Sequence, residues 1–109
     1  LLSNVMRSGV TSLAKSLSQQ LAAEGIRVNN LVPGAINTDR LRGLMQTQAD
    51  QTGVPFEEIS RSRAATVPLA RFGEASEFGQ AGAFLLSDAA AYITGETLVV
   101  DGGAMKTVW

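Results

Sequence analysis

The chain has 109 residues, a formal net charge of −1, and neither cysteine nor histidine. Its length allows one domain at most, and its balanced charge gives no electrostatic case for binding nucleic acid or an anionic membrane surface. The missing cysteine and histidine exclude disulfides, a thiolate nucleophile and a zinc-finger-type metal site. No apolar run approaches the roughly 18 residues of a membrane span and no signal peptide is legible, so we expect a cytoplasmic protein.

The first predicted element is an amphipathic helix that begins at Ser3 or Asn4, either of which suits an N-terminal cap, and runs to about Ala23. Apolar residues at helical spacing predict its buried face: Met6, Val10, Leu13, Ala14, Leu17 and Leu21. Gly25 is expected to end the helix in the left-handed conformation.

A strand is predicted next, from Ile26 to Val32. This nearly continuous apolar run is typical of a strand buried on both faces of a parallel sheet. Pro33 cannot donate to a sheet ladder, so the strand should end there, and Gly34 lets the chain turn or approach a ligand closely. Because open α/β sheets bind ligands at the carboxyl ends of their strands, the loop that follows is a candidate site. The alternative is that proline and glycine only close the strand.

Residues 39–67 are more polar and less periodic. Three apolar residues predict a short helix near the start of this segment: Leu41, Leu44 and Met45. A turn is predicted from Asp50 to Gly53, and Pro55 suits the first turn of another helix. This excursion between two core elements is either a substrate lid or an ordinary surface insertion.

The last helix is predicted from Glu74 to Ser87 and the last strand from Thr97 to Val100. The predicted buried side of the helix consists of Phe78, Ala81, Gly82, Leu85 and Leu86. Gly79 and Gly82 each cost about 1 kcal/mol relative to alanine in a helix interior, so we expect another backbone to pack closely against them. The order of elements indicates the α/β class. Two short strands leave open edges, so the chain is predicted to be part of a larger sheet.

Four motifs resemble the C-terminal half of the short-chain dehydrogenase/reductase family. They are G-I-R-V-N with P-G-x-x-x-T at 25–38, P-L-x-R-x-G at 68–73, F-L-L-S-D at 84–88, and I-T-G with V-D-G-G at 93–103. The resemblance implies that residues 1–109 are the C-terminal segment of a Rossmann-like, doubly wound parallel sheet, with about two strands and flanking helices. It also implies NAD or NADP as cofactor and hydride exchange with a small-molecule alcohol or carbonyl substrate.

The glycine-rich phosphate loop of the family has no counterpart in this chain, because no two of the eleven glycines are separated by a single residue. In the family that loop lies in the N-terminal half, which is expected to lie outside these residues. We therefore predict that the isolated chain is inactive.

The catalytic tyrosine and lysine of the family correspond, along the resemblance, to Ser3 and Arg7. In the family the tyrosine exchanges a proton with the substrate, and the lysine binds the nicotinamide ribose. The spacing of four keeps both side chains on one helix face. A serine hydroxyl is a far weaker acid than a phenol, whereas Arg7 retains donors for ribose hydroxyls. The alternatives are that Ser3 only caps the helix and that Arg7 is a solvated charge.

The resemblance places the cofactor on the loop after the first strand. In the family the loop backbone touches the nicotinamide carboxamide, and the threonine hydroxyl reaches the cofactor's amide or phosphates. The implied cofactor-binding residues are Pro33, Gly34, Ile36 and Thr38, together with Arg7. Asn29 is instead interpreted as a structural amide that satisfies neighbouring backbone groups.

A homo-oligomer is also expected, with a tetramer favoured and a dimer possible, because in the family the last helix and last strand meet their counterparts across a two-fold axis. The alternative is that Gly79 and Gly82 fit an intramolecular neighbour. The rival function is a non-catalytic relative that keeps the fold for binding or assembly after losing the tyrosine and lysine.

Overall fold

Residues 1–106 are described by the computed structural model, and within them four helices and two strands form. Their bounds are α1 (Leu2–Leu21), β1 (Asn30–Pro33), α2 (Asp39–Thr52), α3 (Phe56–Ala65), α4 (Ala75–Leu86) and β2 (Thr97–Val100). The strands pair in one sheet, and they are parallel because the Asn30 amide donates to the Glu96 carbonyl and the Gly34 amide to the Val100 carbonyl. The predicted α/β class is confirmed.

The chain divides into two compact units. The first comprises Leu1–Val32 and Gln80–Val99, and the second comprises Pro33–Gly79 and the segment that begins at Val100.

In the first unit, α1 begins at Leu2 with Leu1 as its N-cap, so Ser3 lies inside the first turn. The prediction that Ser3 or Asn4 caps the helix is wrong, because a capping side chain belongs to the non-helical residue before that turn. A short 3₁₀ turn at Ala22–Glu24 follows α1, and Gly25 ends it at φ 76°. The predicted left-handed stop is confirmed.

The predicted apolar face of α1 packs only in its C-terminal half. Ala14 is buried, and Leu17 and Leu21 are half-buried. The other three predicted residues are more than half exposed: Met6, Val10 and Leu13. Ser18 occupies a buried position instead, and its hydroxyl is satisfied because it donates to the Lys15 carbonyl at 2.6 Å.

Strand β1 begins at Asn30, later than the predicted Ile26. Before that point the backbone pairing is incomplete, because the Val28 carbonyl accepts from the Gly95 amide at 2.8 Å while the Val28 amide donates to the Thr94 hydroxyl at 3.1 Å. The first three residues of β1 are half-buried and Pro33 is exposed, rather than buried on both faces, because each strand has one neighbour in the described sheet.

Asn29 joins two segments of the first unit through its side-chain amide. Its nitrogen donates to the Ile93 carbonyl at 3.1 Å, and its oxygen accepts from the Glu96 amide at 3.0 Å. The interpretation of Asn29 as a structural amide is confirmed.

The C-terminal half of α4 meets side chains rather than another backbone. A Cβ on Gly82 would lie 3.2 Å from Cδ2 of Leu31, so a side chain of the same unit explains this glycine. The predicted burial of Leu86 is wrong, since it is 87% exposed. Successive helix residues point about 100° apart, and Leu85 takes the buried position.

In the second unit, α2 and α3 pack around a core of Met45, Ala49 and Ile59. Three partly buried residues pack against that core: Leu41, Phe56 and Phe72. Helix α2 continues to Thr52 and ends at Gly53, which has φ 73°. The turn predicted from Asp50 is therefore wrong in its start, because the helix runs until a glycine takes the left-handed conformation.

Candidate functional site

The loop between β1 and α2, Pro33–Thr38, begins against the residue that follows β2. The Gly34 amide donates to the Val100 carbonyl at 2.9 Å. A Cβ on Gly34 would lie 2.5 Å from Cβ and 2.7 Å from Cα of Asp101. Glycine is required here because two backbones meet without room for a side chain, and the close approach predicted for Gly34 is made to Asp101.

The middle of the loop is fixed by Gly73. The Gly73 amide donates to the Ala35 carbonyl at 3.0 Å, and the Asn37 amide donates to the Gly73 carbonyl at 2.8 Å. These bonds form a parallel bridge between Ile36 and Gly73. A Cβ on Gly73 would lie 2.9 Å from Cδ1 of Ile36, so the glycine lets the two segments come together.

The end of the loop is fixed by the first turn of α2. Thr38 is the N-cap of α2, and its hydroxyl oxygen accepts from the Leu41 amide at 3.2 Å. Arg42 donates to Oδ1 of Asn37 at 2.6 Å and pairs with the Asp39 carboxylate. Because a hydroxyl that accepts one bond keeps a proton to donate, Thr38 remains able to bind a ligand.

An ion pair between Arg71 and Glu77 stabilises the segment around Gly73. Nη1 and Nη2 of Arg71 donate to the Glu77 carboxylate, at 2.7 and 2.9 Å, and the same carboxylate accepts from the Glu74 amide at 2.9 Å. The hydrogen bonds from Arg71, followed by that from the Glu74 backbone, lower the pKa of Glu77 to about 2. Arg71 also donates to the Phe72 carbonyl at 3.1 Å, so the pair holds the chain directly beside Gly73.

Asp101 has two roles in the segment that follows β2. Its backbone lies against Gly34, as described above. Its carboxylate accepts from the amides of Gly103 at 2.9 Å and Met105 at 2.7 Å, which folds the segment into a turn. The backbone of that turn accepts a further bond, from the Leu69 amide to the Gly102 carbonyl at 3.1 Å.

A cavity of about 430 Å³ lies beside the loop, entirely within the second unit. All four cofactor-binding residues predicted in the loop line it, so the structure brings Pro33, Gly34, Ile36 and Thr38 together. Helices α2 and α4 supply the rest of its wall, including Arg40, Leu41, Leu44 and Phe78. This volume falls in the range of small-molecule sites.

Ser3 and Arg7 lie in the first unit, both exposed, on successive turns of α1. The predicted shared helix face is confirmed by the helical span of Leu2–Leu21. The Arg7 carbonyl accepts from the Thr11 hydroxyl at 3.0 Å.

The roles of several residues around the loop were not predicted from the sequence, although the motifs at 68–73 and 93–103 contain Gly73 and Asp101. Arg40 and Phe78 line the cavity, and Gly73 and Asp101 fix the loop from distant positions in the chain. Thr38 followed by an acidic residue is a recognisable helix start, which was a usable signal for α2 and hence for Arg40. No local pattern signals the other contacts, because they join residues far apart in sequence.

Within residues 1–106 the structure places no three acidic side chains where they could hold a metal ion together. None of the helices in the same range is long and apolar enough to cross a membrane.

Comparison with known proteins gives consistent results. A family model for enoyl-(acyl carrier protein) reductase matches residues 2–105. The 3-oxoacyl-(acyl-carrier-protein) reductase FabG of Escherichia coli strain K12 is 44% identical over 97 residues, which are 89% of this chain and 35% of that protein. The chain thus spans between about a third and two fifths of the length of the curated relatives it matches.

Two solved structures share the fold. L-sorbose reductase from Gluconobacter frateurii, complexed with NADPH and L-sorbose, has a TM-score of 0.90 at 29% identity, covering 96% of this chain and 40% of that one. An NADPH-bound short-chain oxidoreductase from Pseudomonas aeruginosa PAO1, which contains an atypical catalytic center, has a TM-score of 0.76 at 30% identity, covering 94% and 38%. The chain belongs to the short-chain dehydrogenase/reductase family.

Proposed function

We propose that residues 1–109 are the C-terminal segment of a single NAD(P)-binding domain in a longer oxidoreductase. That enzyme transfers hydride between a nicotinamide cofactor and a small-molecule alcohol or carbonyl substrate. The observation that carries the proposal is the Pro33–Thr38 loop, which is bonded at both ends and in the middle and lines a cavity of about 430 Å³. The NADPH complex of the sorbose reductase supports NAD or NADP as cofactor.

The loop suits a nicotinamide cofactor in its polar groups. Thr38 has a hydroxyl proton to donate, and within residues 1–106 neither the amide nor the carbonyl of Ile36 has a backbone partner. Pro33 and Gly34 line the cavity beside them. We therefore assign cofactor contacts to Pro33, Gly34, Ile36 and Thr38. The cofactor, when bound, supplies or accepts the hydride.

Ser3 and Arg7 are the proposed catalytic residues, with Arg7 also holding ribose hydroxyls through its guanidinium fork. The Ser3 hydroxyl exchanges the proton at the substrate oxygen, slowly, because an alkyl hydroxyl is a poor acid at neutral pH. The Pseudomonas aeruginosa relative supports this assignment to the extent that it too contains an atypical catalytic center.

The test is hydride transfer by the full-length protein that contains this chain. NADH and NADPH are each mixed with a panel of aldehydes and ketones, and loss of the reduced nicotinamide is followed by absorbance. We expect cofactor binding by calorimetry and slow turnover of at least one carbonyl compound. Failure of both cofactors to bind would overturn the proposal.

A second function is favoured by the residues at positions 3 and 7, because the family resemblance places tyrosine and lysine where this chain has Ser3 and Arg7. In this alternative the protein keeps the fold for binding or assembly and is not catalytic. Cofactor binding without turnover of any carbonyl compound, together with no gain on restoring tyrosine and lysine, would favour it.

We also propose a cytoplasmic homo-oligomer, with a tetramer favoured and a dimer possible. The support is the family resemblance, in which the last helix and the last strand meet their counterparts across a two-fold axis, and Gly79 lies on that helix. Gly82 gives no support, since Leu31 of the same unit accounts for it. Light scattering on Gly79→Leu should show a smaller assembly than the parent, whereas Gly43→Leu, on the open side of α2, should leave the mass unchanged.

A further inference from the structure

We propose that the cavity beside the Pro33–Thr38 loop takes a substrate that joins an apolar chain to a carboxylate, and that Arg40 binds this carboxylate. The inference rests on the proposed function, because it assigns a substrate class to the same site. It concerns Arg40, to which the family motifs quoted above give no role.

The walls of the cavity are predominantly apolar. Ile36 from the loop, Leu41 and Leu44 from α2, and Phe78 from α4 contribute hydrocarbon side chains. Leu44 is half exposed, so a substrate chain that covers it removes apolar surface from water. An apolar portion of the substrate is therefore favoured over a sugar-like one.

Arg40 is the one charged residue among those that line the cavity. Within residues 1–106 it makes no ion pair. Other charged side chains of the second unit pair with one another: Arg42 with Asp39, and Arg71 with Glu77. The positive charge of Arg40 is thus left without a local counter-ion.

A guanidinium group presents parallel N–H donors that match the two oxygens of a carboxylate. A carboxylate carries the single negative charge that one guanidinium group balances. These properties together favour a monocarboxylate with an apolar chain.

The experiment uses the full-length protein with saturating NADPH and two matched ketones. One is an oxooctanoate with its ketone next to the terminal methyl group, and the other is its methyl ester, which has the same chain without the charge. We expect the parent to favour the carboxylate and Arg40→Gln to lower the ratio of the two kcat/KM values about tenfold, mainly through KM. Added salt should raise KM for the carboxylate.

Arg61→Gln is the matched control, because Arg61 is an exposed arginine of α3 that does not line the cavity. It should leave the ratio as in the parent. An equal ratio in the parent and Arg40→Gln would overturn the inference. So would a loss of NADPH affinity in Arg40→Gln without a change of ratio, since the charge would then serve the cofactor.

A calorimetric measurement separates this inference from the proposed function. The oxooctanoate is titrated into the parent and into Arg40→Gln, each with oxidised cofactor present. Binding that is about tenfold weaker in Arg40→Gln supports the inference, whether or not a ketone is turned over. A lack of turnover would count only against the proposed oxidoreductase activity. Equal binding by the two proteins overturns the inference whether or not the enzyme is active.

Discussion

Ser3 and Arg7 project from exposed turns of α1, whereas the Pro33–Thr38 loop is hydrogen-bonded at both ends and in the middle to other segments. The first region offers a ligand only its side chains. The second offers backbone groups held by Gly34, Gly73 and Thr38. A region that acts through side chains changes its chemistry with each substitution, while one that acts through backbone keeps its geometry as long as the glycines remain. The family resemblance places a tyrosine and a lysine at the positions of Ser3 and Arg7, whereas the Pro33–Thr38 loop keeps the P-G-x-x-x-T motif.

The largest effect is expected from restoring the side-chain pair. In the full-length protein, Ser3→Tyr combined with Arg7→Lys should raise carbonyl reduction by about a hundredfold. General acid catalysis is worth typically 10²–10⁴-fold, and a pocket shaped around serine places the ring imperfectly. Steady-state kinetics of the double variant against the parent measure it. A slower double variant of an active parent would mean that Ser3 and Arg7 themselves carry the chemistry.

The geometry of the Pro33–Thr38 loop is best tested at Gly34, which makes the closest contact with Asp101. Gly34→Ala would bring a Cβ within 2.7 Å of the Asp101 backbone, which cannot rotate away. We expect the free energy of unfolding to fall by about 2–3 kcal/mol. Chemical denaturation is the measurement, and Gly43→Ala is the control, since an added Cβ on α2 meets no described atom and should stabilise the helix by about 0.5–1 kcal/mol. Equal stability of Gly34→Ala and parent would show that the loop is not fixed by Asp101.

Substitutions of Thr38 test whether its side chain stabilises the fold, binds the cofactor or does both. Thr38→Ala removes the cap of α2 and should lower the free energy of unfolding by about 1 kcal/mol, while Thr38→Ser keeps the capping oxygen and should cost less. Calorimetric titration with NADPH then separates the roles. If Thr38→Ala and Thr38→Ser bind NADPH equally well, the hydroxyl is a cap and no more.

The smallest effect concerns the exposed ion pair beside Gly73. The folded-state pKa of Glu77 is lowered from 4.5 to about 2, so its contribution to stability is present above the unfolded-state pKa and is lost as pH falls through the folded-state value. Glu77→Gln should therefore be less stable than the parent at neutral pH, and the difference should shrink between pH 4.5 and about 2. The denaturation midpoints of Glu77→Gln and the parent, measured over that pH range, test this expectation. A difference that does not depend on pH would show that charge is not what holds the pair.

Local patterns in the sequence predicted much of this chain. The helical repeat and Gly25 located α1 and its end, the apolar runs located β2 and most of β1, and Asn29 was identified as a structural amide. The errors fall at element ends and in the choice of buried residue. Ser3 is helical rather than a cap, and Leu86 is exposed beside a buried Leu85. The ends of helices and the burial of individual residues depend on contacts with other segments. A periodic pattern within one segment carries no information about those contacts.

Propensity and periodicity act between residues a few positions apart. The sequence by itself therefore determined the order of helices and strands, the family and the position of the Pro33–Thr38 loop after the first strand. Only the tertiary structure shows why residue 34 is a glycine, because the residue that lies against it, Asp101, is distant in the sequence. The same holds for the bridge from Ile36 to Gly73 and for the place of Arg40 at the cavity. Such contacts are settled by whole segments packing together, since only then does it emerge which backbones meet and which charge is left without a partner.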